Sequence, residues 1–430
     1  MFVSQCVIFG CLFTALYTLT LSIIASTNGK PRPYSAWMAD SVIMRQEVTW
    51  NSATKSDVSA HLKIGLFQHA IFELKDHYGY SQSVGAQEDW EAYLKESVDS
   101  AIDAFLDVGR DDSDIVNMFS MGKSILYRSR VPRPDIWYIA MTDSLRRYHH
   151  SQNRMYLSAL EAMRKSLNTL PRNTDGGIPY FVSDPDIMAL DETYPLVSFY
   201  ALYPPILEPD NRTIAKDIVN QLDIMWSHCC QNGTHLCVHG YDAAMSSPWA
   251  NTVSGASPYV FARAVGWYLL GLLQLLDISN TTGILSPSQW THTRQRFIDL
   301  ANAAVDHVDA DTGCWWQIMD YGGHQGNFVE SSASAMLVYA LLKGRRLGYL
   351  SRLESKGRSY DYTAKKCYRH IMKTFLISYP NGSLGLDGTV DFCAIYDDPS
   401  YEYYTGRPIV TNHVYGTAPF ILASLEYERR

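Results

Sequence analysis

The feature that most constrains this chain is an alternation between two kinds of helical segment. Residues 291–308 (THTRQRFIDLANAAVDHV) are amphipathic, with Phe297, Leu300, Ala304 and Val308 on one stripe and the charges opposite. The segments starting near Asn153, Arg212 and Ser359 read the same way. Between them lie stretches apolar nearly all round, YVFARAVGWYLLGLLQLL, SSASAMLVYALL and HVYGTAPFILASL. A helix apolar on every side has to be buried on every side. Buried and half-buried helices taking turns imply two concentric layers. Twelve segments are expected, beginning near Val58, Glu88, Asp114, Asp135, Asn153, Asp191, Arg212, Pro258, Ser288, Phe328, Ser359 and His413. They predict an all-α fold, an (α/α)6 toroid of six hairpins. The alternation is blurred in the first four segments, so closure there is assumed.

If every inner helix runs the same way, the starts of the even-numbered helices gather at one end of the ring. Polar residues there converge however distant in sequence, beside free N–H groups that favour anions. Asp191 and Asp135 are expected at two such starts, where each also reads as an ordinary N-cap. The link between the seventh and eighth segments carries His239, Tyr241, Asp242 and Trp249, and the eighth carries Arg263 and Trp267. Arg263 is stranded in an apolar helix, so it must pair with a core carboxylate or face a polar cavity. With Trp267 one turn on, it offers charge and a flat ring face to an acidic sugar; a structural ion pair with a core tryptophan is the plainer alternative. Trp315, Trp316 and Gln317 precede a glycine-bearing loop, Glu330 opens the tenth segment, and Asn412 and His413 open the twelfth.

The 430 residues are 47% hydrophobic, and no linker or long charge run divides them, so residues 26–430 are expected to form one domain. A net charge of -8 argues against nucleic acid or an anionic membrane surface as partner. Residues 1–25 are apolar and uncharged, as in a secretory signal peptide, with an uncleaved anchor as the rival. No later run is long enough to span a bilayer. Sequons at Asn211, Asn232, Asn280 and Asn381, and six cysteines beyond that segment, fit a secreted glycoprotein. Those cysteines allow about 15 pairings, and the spacing of Cys229, Cys230 and Cys237 does not suit zinc. Neither a metal nor a cofactor is expected: no G-x-S-x-G, H-E-x-x-H, P-loop or dinucleotide fingerprint occurs.

At PRNTDGGIPYF, LDETYPLVSFYALY, VHGYDAA, SGASPYVFARAVGWYLLG, TGCWWQIMD, NFVESSASAMLVYALLKGRRLGYL and YEYY…PFILASLEYE the chain resembles glycoside hydrolase family 105, the unsaturated rhamnogalacturonyl hydrolases, especially secreted fungal members. The resemblance implies the same toroid. It also implies removal of a 4,5-unsaturated uronic acid from lyase-generated pectic oligosaccharides by hydration of the double bond. A monomer is expected. Asp191 matches the family's catalytic aspartate and Asp135 lies near its second. His239, Arg263 and Trp267 match substrate-contacting positions, and Tyr241 and Trp316 are added as candidate contacts. Phe261, Tyr180, Phe181 and Ala189 depart from residues common in bacterial members. An ordinary toroidal glycosidase, with Asp135 or Asp242 as second carboxylate, and a non-catalytic carbohydrate-binding protein are the competing expectations.

Overall fold

The structure is a computed structural model that describes residues 32–51, 54, 57–79, 87–106, 115–129, 154–209, 211, 213–351, 359–396 and 398–429. Along the chain its helices are α1 (Tyr34–Arg45), α2 (Ala60–Tyr78), α3 (Gln87–Asp99), α4 (Ile115–Met118), α5 (Gly122–Ser129), α6 (Arg154–Thr169), α7 (Thr193–Tyr200), α8 (Tyr203–Leu207), α9 (Thr213–Cys229), α10 (Ala262–Thr282), α11 (Pro287–Asp306), α12 (Ser331–Arg346), α13 (Tyr360–Thr374), α14 (Tyr401–Gly406) and α15 (Val414–Glu428). A single 3-10 turn joins α4 to α5, and the two act as one broken helix.

Six of these positions close an inner ring. Each neighbour packs on the next in the order α2, α4–α5, α7, α10, α12 and α15, and α15 returns to α2. Outside them lie α1, α3, α6, α9, α11 and α13, so the chain alternates outer and inner throughout, an (α/α)6 toroid. Composition sorts the layers. Along α12 every residue from Ser331 to Gly344 is buried, and along α15 every residue from Val414 to Glu426. In contrast α11 buries only one stripe, which contains Phe297, Leu300 and Ala304. Among the described residues, no helix is long and apolar enough to cross a membrane.

The sequence pattern needs one correction near its start. Helix α1, outside the expected series, holds the first outer position. It buries Ser35, Ala36, Met38, Ala39, Ser41 and Val42, a short face on which small residues outnumber the two bulky apolar ones. Counting it moves the segments near Val58, Glu88 and Asp114 into the second, third and fourth places, so the first and third of the expected series are inner. The segment expected at Asp135 and the candidate signal peptide lie outside the described residues.

Candidate active site

Two three-residue strands bring the central pair together. Strand β1 (Ile187–Ala189) leads into Asp191, and β2 (Gly240–Asp242) follows His239. They pair antiparallel, with Met188 opposite Tyr241 and Ala189 opposite Gly240. The next step along the ladder, Leu190 N–H to the His239 carbonyl at 2.9 Å, sets His239 beside the turn that carries Asp191. Close approach at Gly240 is essential to this register, because a Cβ there would lie 2.1 Å from the Met188 carbonyl oxygen.

In this arrangement His239 Nε2 lies 3.1 Å from Asp191 Oδ2, and its Nδ1 lies 2.7 Å from the Tyr404 hydroxyl. The imidazole is buried, whereas the Asp191 side chain keeps 13% of its surface exposed at the mouth of the ring. The chain of bonds is self-consistent for either charge state of Asp191. When Asp191 is ionised, Nε2–H donates to it and Tyr404 O–H donates to Nδ1. When Asp191 is protonated, its O–H donates to Nε2 and Nδ1–H donates to the phenol oxygen. Burial holds the Tyr404 hydroxyl well above its ordinary range, so it stays a neutral phenol in both states.

The neighbouring carboxyl is kept apart. Glu192 is buried, and burial pushes it well above the usual carboxylate range despite a hydrogen bond from the Ala189 amide; the nearby Asp191 adds to the rise. Asp242 is also spent locally. It accepts from the backbone N–H groups of Ala244, Ser246 and Ser247 at 2.7–2.9 Å, and so stays below its ordinary value although burial opposes this.

The other expected site residues surround this pair in different ways. Phe261, whose ring centroid is 5.0 Å from that of His239, lies 5.3 Å from the Arg263 guanidinium. Arg263 is buried and donates to the carbonyls of Val390 at 2.6 Å and Asp391 at 2.5 Å, with Glu330 at 3.9 Å. Of the two expected environments it has the core carboxylate, but its shortest bonds go to backbone. Trp267 is fully buried between the rings of Tyr194 and Tyr415, at 5.2 and 5.5 Å. Tyr241 is buried too, stacked on His228 at 4.0 Å with its hydroxyl 3.1 Å from Asn173. Trp316 is half-buried, and its indole packs close to Gly322, where a Cβ would lie 3.0 Å from the ring. Asp135 lies outside the described residues.

Several residues at this end escaped the sequence reading. Tyr404 is 165 positions from His239, and nothing in YEYY marks that contact. Asn117, in α4, accepts from the buried Tyr180 hydroxyl at 2.8 Å and donates to the Val58 carbonyl at 2.8 Å. A half-buried group of Tyr259, Tyr321 and Tyr401, with centroids 5.3–6.0 Å apart, flanks the pair, since the Tyr259 carbonyl accepts the His239 N–H. Two disulfides, Cys230–Cys237 and Cys314–Cys367, select one partial pairing, and Cys229 and Cys393 are buried free thiols.

Comparison with known proteins agrees with this architecture. Among solved structures, a family 105 glycoside hydrolase of Clostridium acetobutylicum (C. acetobutylicum ATCC 824) superposes with a TM-score of 0.75 at 25% identity, over 93% of this chain and 100% of that one. The unsaturated glucuronyl hydrolase of Bacillus sp. GL1 shares the fold, with a TM-score of 0.61 at 13% identity, over 92% of this chain and 95% of that one. Protein Atu3128 of Agrobacterium fabrum is 34% identical over 197 residues, 44% of this chain and 81% of its own length. Residues 35–430 match the family model of Glycosyl Hydrolase Family 88, and the chain belongs to that family.

Proposed function

We propose that this glycoside hydrolase removes a 4,5-unsaturated uronic acid from the non-reducing end of lyase-generated pectic oligosaccharides, by hydrating the double bond. The observation that carries the reading is the Asp191–His239–Tyr404 chain, one partly exposed carboxyl that is hydrogen-bonded whether or not it holds a proton. Asp191 gives its proton to C4, and positive charge develops at C5 and the ring oxygen. Water adds at C5 and returns a proton to Asp191. The hemiketal then opens and releases the remaining sugar. A single carboxyl serves as acid and then base, aided by a histidine that can shift tautomer.

The ordinary glycosidase reading needs a second carboxyl across the scissile bond. Among the described residues, Glu192 and Asp242 do not suit it, Glu192 being buried and Asp242 bonded to its own loop. The solved neighbours include an unsaturated glucuronyl hydrolase, which supports the reaction class. The pectic aglycone rests on the sequence resemblance to family 105. We place the protein outside the cell, in line with its two disulfides and four sequons. Purified protein mixed with lyase-generated oligosaccharides should abolish the ultraviolet absorbance of the conjugated double bond. Persistence of that absorbance, with release of saturated sugars from polymer, would favour the ordinary glycosidase.

A further inference from the structure

Beside the catalytic pair, three tyrosines from distant parts of the chain meet. Tyr259 precedes α10, Tyr321 ends the short turn Met319–Tyr321, and Tyr401 opens α14. The ring centroids lie 5.3 Å (Tyr259–Tyr321), 5.7 Å (Tyr321–Tyr401) and 6.0 Å (Tyr259–Tyr401) apart, with interplanar angles of 71°, 47° and 58°. None is stacked flat on another, so their faces are not spent within the group. Each tyrosine is half-buried, and the residues next to them, Pro258, 322–326 and Glu402, are exposed.

The patch is continuous with the catalytic pair. The Tyr259 carbonyl accepts the His239 N–H at 3.2 Å. Tyr401 lies three residues before Tyr404, about one helical turn, and Tyr404 bonds to His239. The rings against His239 itself are those of Phe261 and Tyr404, at 5.0 and 5.7 Å. The three tyrosines therefore lie beside the reacting pair and not at it.

The patch is also fixed in place. Asn327 accepts from the Ile318 and Phe328 N–H groups at 3.2 and 3.1 Å, and donates to the Ile318 and Tyr321 carbonyls at 2.9 and 2.8 Å. Those four bonds hold the turn that presents Tyr321. The Tyr401 hydroxyl donates to the Gln325 carbonyl of the same loop at 3.0 Å. A surface ordered beforehand loses little freedom when a ligand settles on it.

Rigid, partly exposed rings suit the C–H face of a pyranose. Charge narrows the choice. Burial and Tyr321 raise the Tyr259 hydroxyl above its ordinary value, and the carboxylates of Glu402 and Asp320 add to the rise, so both lie near the rings. A carboxylate on the ligand would be repelled there. Three half-buried rings are also far smaller than the roughly 800 Å² that a protein partner covers. We propose that Tyr259, Tyr321 and Tyr401 form a stacking platform for an uncharged sugar in the released part of the oligosaccharide. The assignment rests on the uronyl hydrolase reading above.

Two unsaturated substrates separate the platform from the chemistry: a rhamnogalacturonan tetrasaccharide, and the methyl glycoside of the unsaturated uronic acid, which has no leaving sugar. Tyr259→Ala and Tyr321→Ala should each raise KM for the tetrasaccharide by about three- to tenfold, the range of one aromatic contact. KM for the methyl glycoside, and kcat for both, should stay within about twofold. Tyr321→Phe keeps the ring and should behave as wild type, and thermal melts confirm that each variant folds. An unsaturated tetragalacturonide, whose leaving sugars are all charged, should be affected less than the tetrasaccharide. Unchanged tetrasaccharide KM in both alanine variants would overturn the platform. So would an equal rise for the methyl glycoside, which would place the tyrosines at the uronyl position, or an equal rise for the tetragalacturonide. A Tyr321→Phe loss as large as that of Tyr321→Ala would do the same, since a hydroxyl bond would then replace stacking. A wild type that turns over neither unsaturated substrate would overturn the hydrolase reading instead. Calorimetry with the saturated tetrasaccharide then decides the platform, which stands only if the wild type binds it and both alanine variants bind it more weakly.

Discussion

Asp191 and His239 sit 3.1 Å apart because the β1–β2 ladder continues one step beyond both strands, through the Leu190 N–H to the His239 carbonyl. The hydrogen bonds that fix the backbone therefore fix the distance between two side chains 48 residues apart in sequence. Asp191→Asn preserves size and still accepts a hydrogen bond, but it cannot cycle a proton. Turnover of unsaturated oligosaccharides should fall by about a hundredfold or more, with little change in melting temperature. Near-native turnover in a well-folded variant would remove Asp191 from the chemistry.

Tyr404 acts on the reaction only through His239, so its removal should have a narrower effect. Tyr404→Phe keeps the packing of the ring against Phe261, whose centroid is 5.2 Å away, and deletes the bond to Nδ1. We expect kcat to fall by about tenfold, in keeping with about 1.4 kcal/mol for a buried hydrogen bond in the relay, and KM to stay within about twofold. Since the histidine then loses the partner that balances its two tautomers, the pH profile of kcat should shift. A rise in KM with unchanged kcat and pH profile would point to a binding role.

Arg263 holds the 390–391 segment against α10 through two carbonyls. A lysine cannot reproduce that two-point grip. Arg263→Lys should therefore lower activity by similar factors on substrates with a free or a methyl-esterified uronate, together with a fall in melting temperature. A selective loss on the free uronate would restore this arginine as the carboxylate-binding group.

At the far end of the inner helices, Lys343 is buried and reaches Glu73 at 2.7 Å, Asp277 at 2.8 Å and the Tyr339 hydroxyl at 3.1 Å. Burial alone would lower its pKa, but Glu73, Tyr339 and Asp277 together hold it well above the ordinary lysine value. Lys343→Met leaves Glu73 in the core with only its longer contacts, to Arg429 at 3.5 Å and His69 at 3.7 Å, and should cost up to about 3–5 kcal/mol. The double variant Lys343→Met, Glu73→Leu should recover part of that in denaturant melts. A single variant within about 0.5 kcal/mol of wild type would show that the pair contributes little to stability.

The ring was legible in sequence wherever packing demands apolar residues on every side of a helix, as in α10, α12 and α15. It was less legible in α1, where Ser35, Ala36, Ala39 and Ser41 are small and only Met38 and Val42 bring apolar bulk to the buried face. At the site, Asp191 and His239 could each be singled out, but not their pairing, because three-residue strands are too short to show alternation. Arg263 had to have partners on cost grounds; its shortest bonds go to backbone carbonyls, and no side-chain pattern announces those. Tyr404, Asn117 and Tyr180 took their places through loop contacts across 63–165 positions, which no local spacing encodes.

Glu192 gives the chain a stability contribution that depends on pH. In the fold burial pushes its carboxyl well above the ordinary value of 4.5, so it remains neutral, and Oε2 has no partner. In the unfolded chain the same group ionises near that ordinary value. Below it both states are protonated, and the contribution is fully present. As the pH rises from there towards the folded pKa, only the unfolded chain releases the proton, and stability is lost by up to about 1.4 kcal/mol per pH unit. Glu192→Gln keeps the neutral shape and removes the titration. The melting temperature of the variant minus that of wild type should therefore climb from pH 4 to about pH 7. The increase reflects this one site, because every other titrating group is common to both proteins. A difference that stays flat across that range would mean that Glu192 is ionised in the fold, and that Asp191 carries out its chemistry beside a charged neighbour.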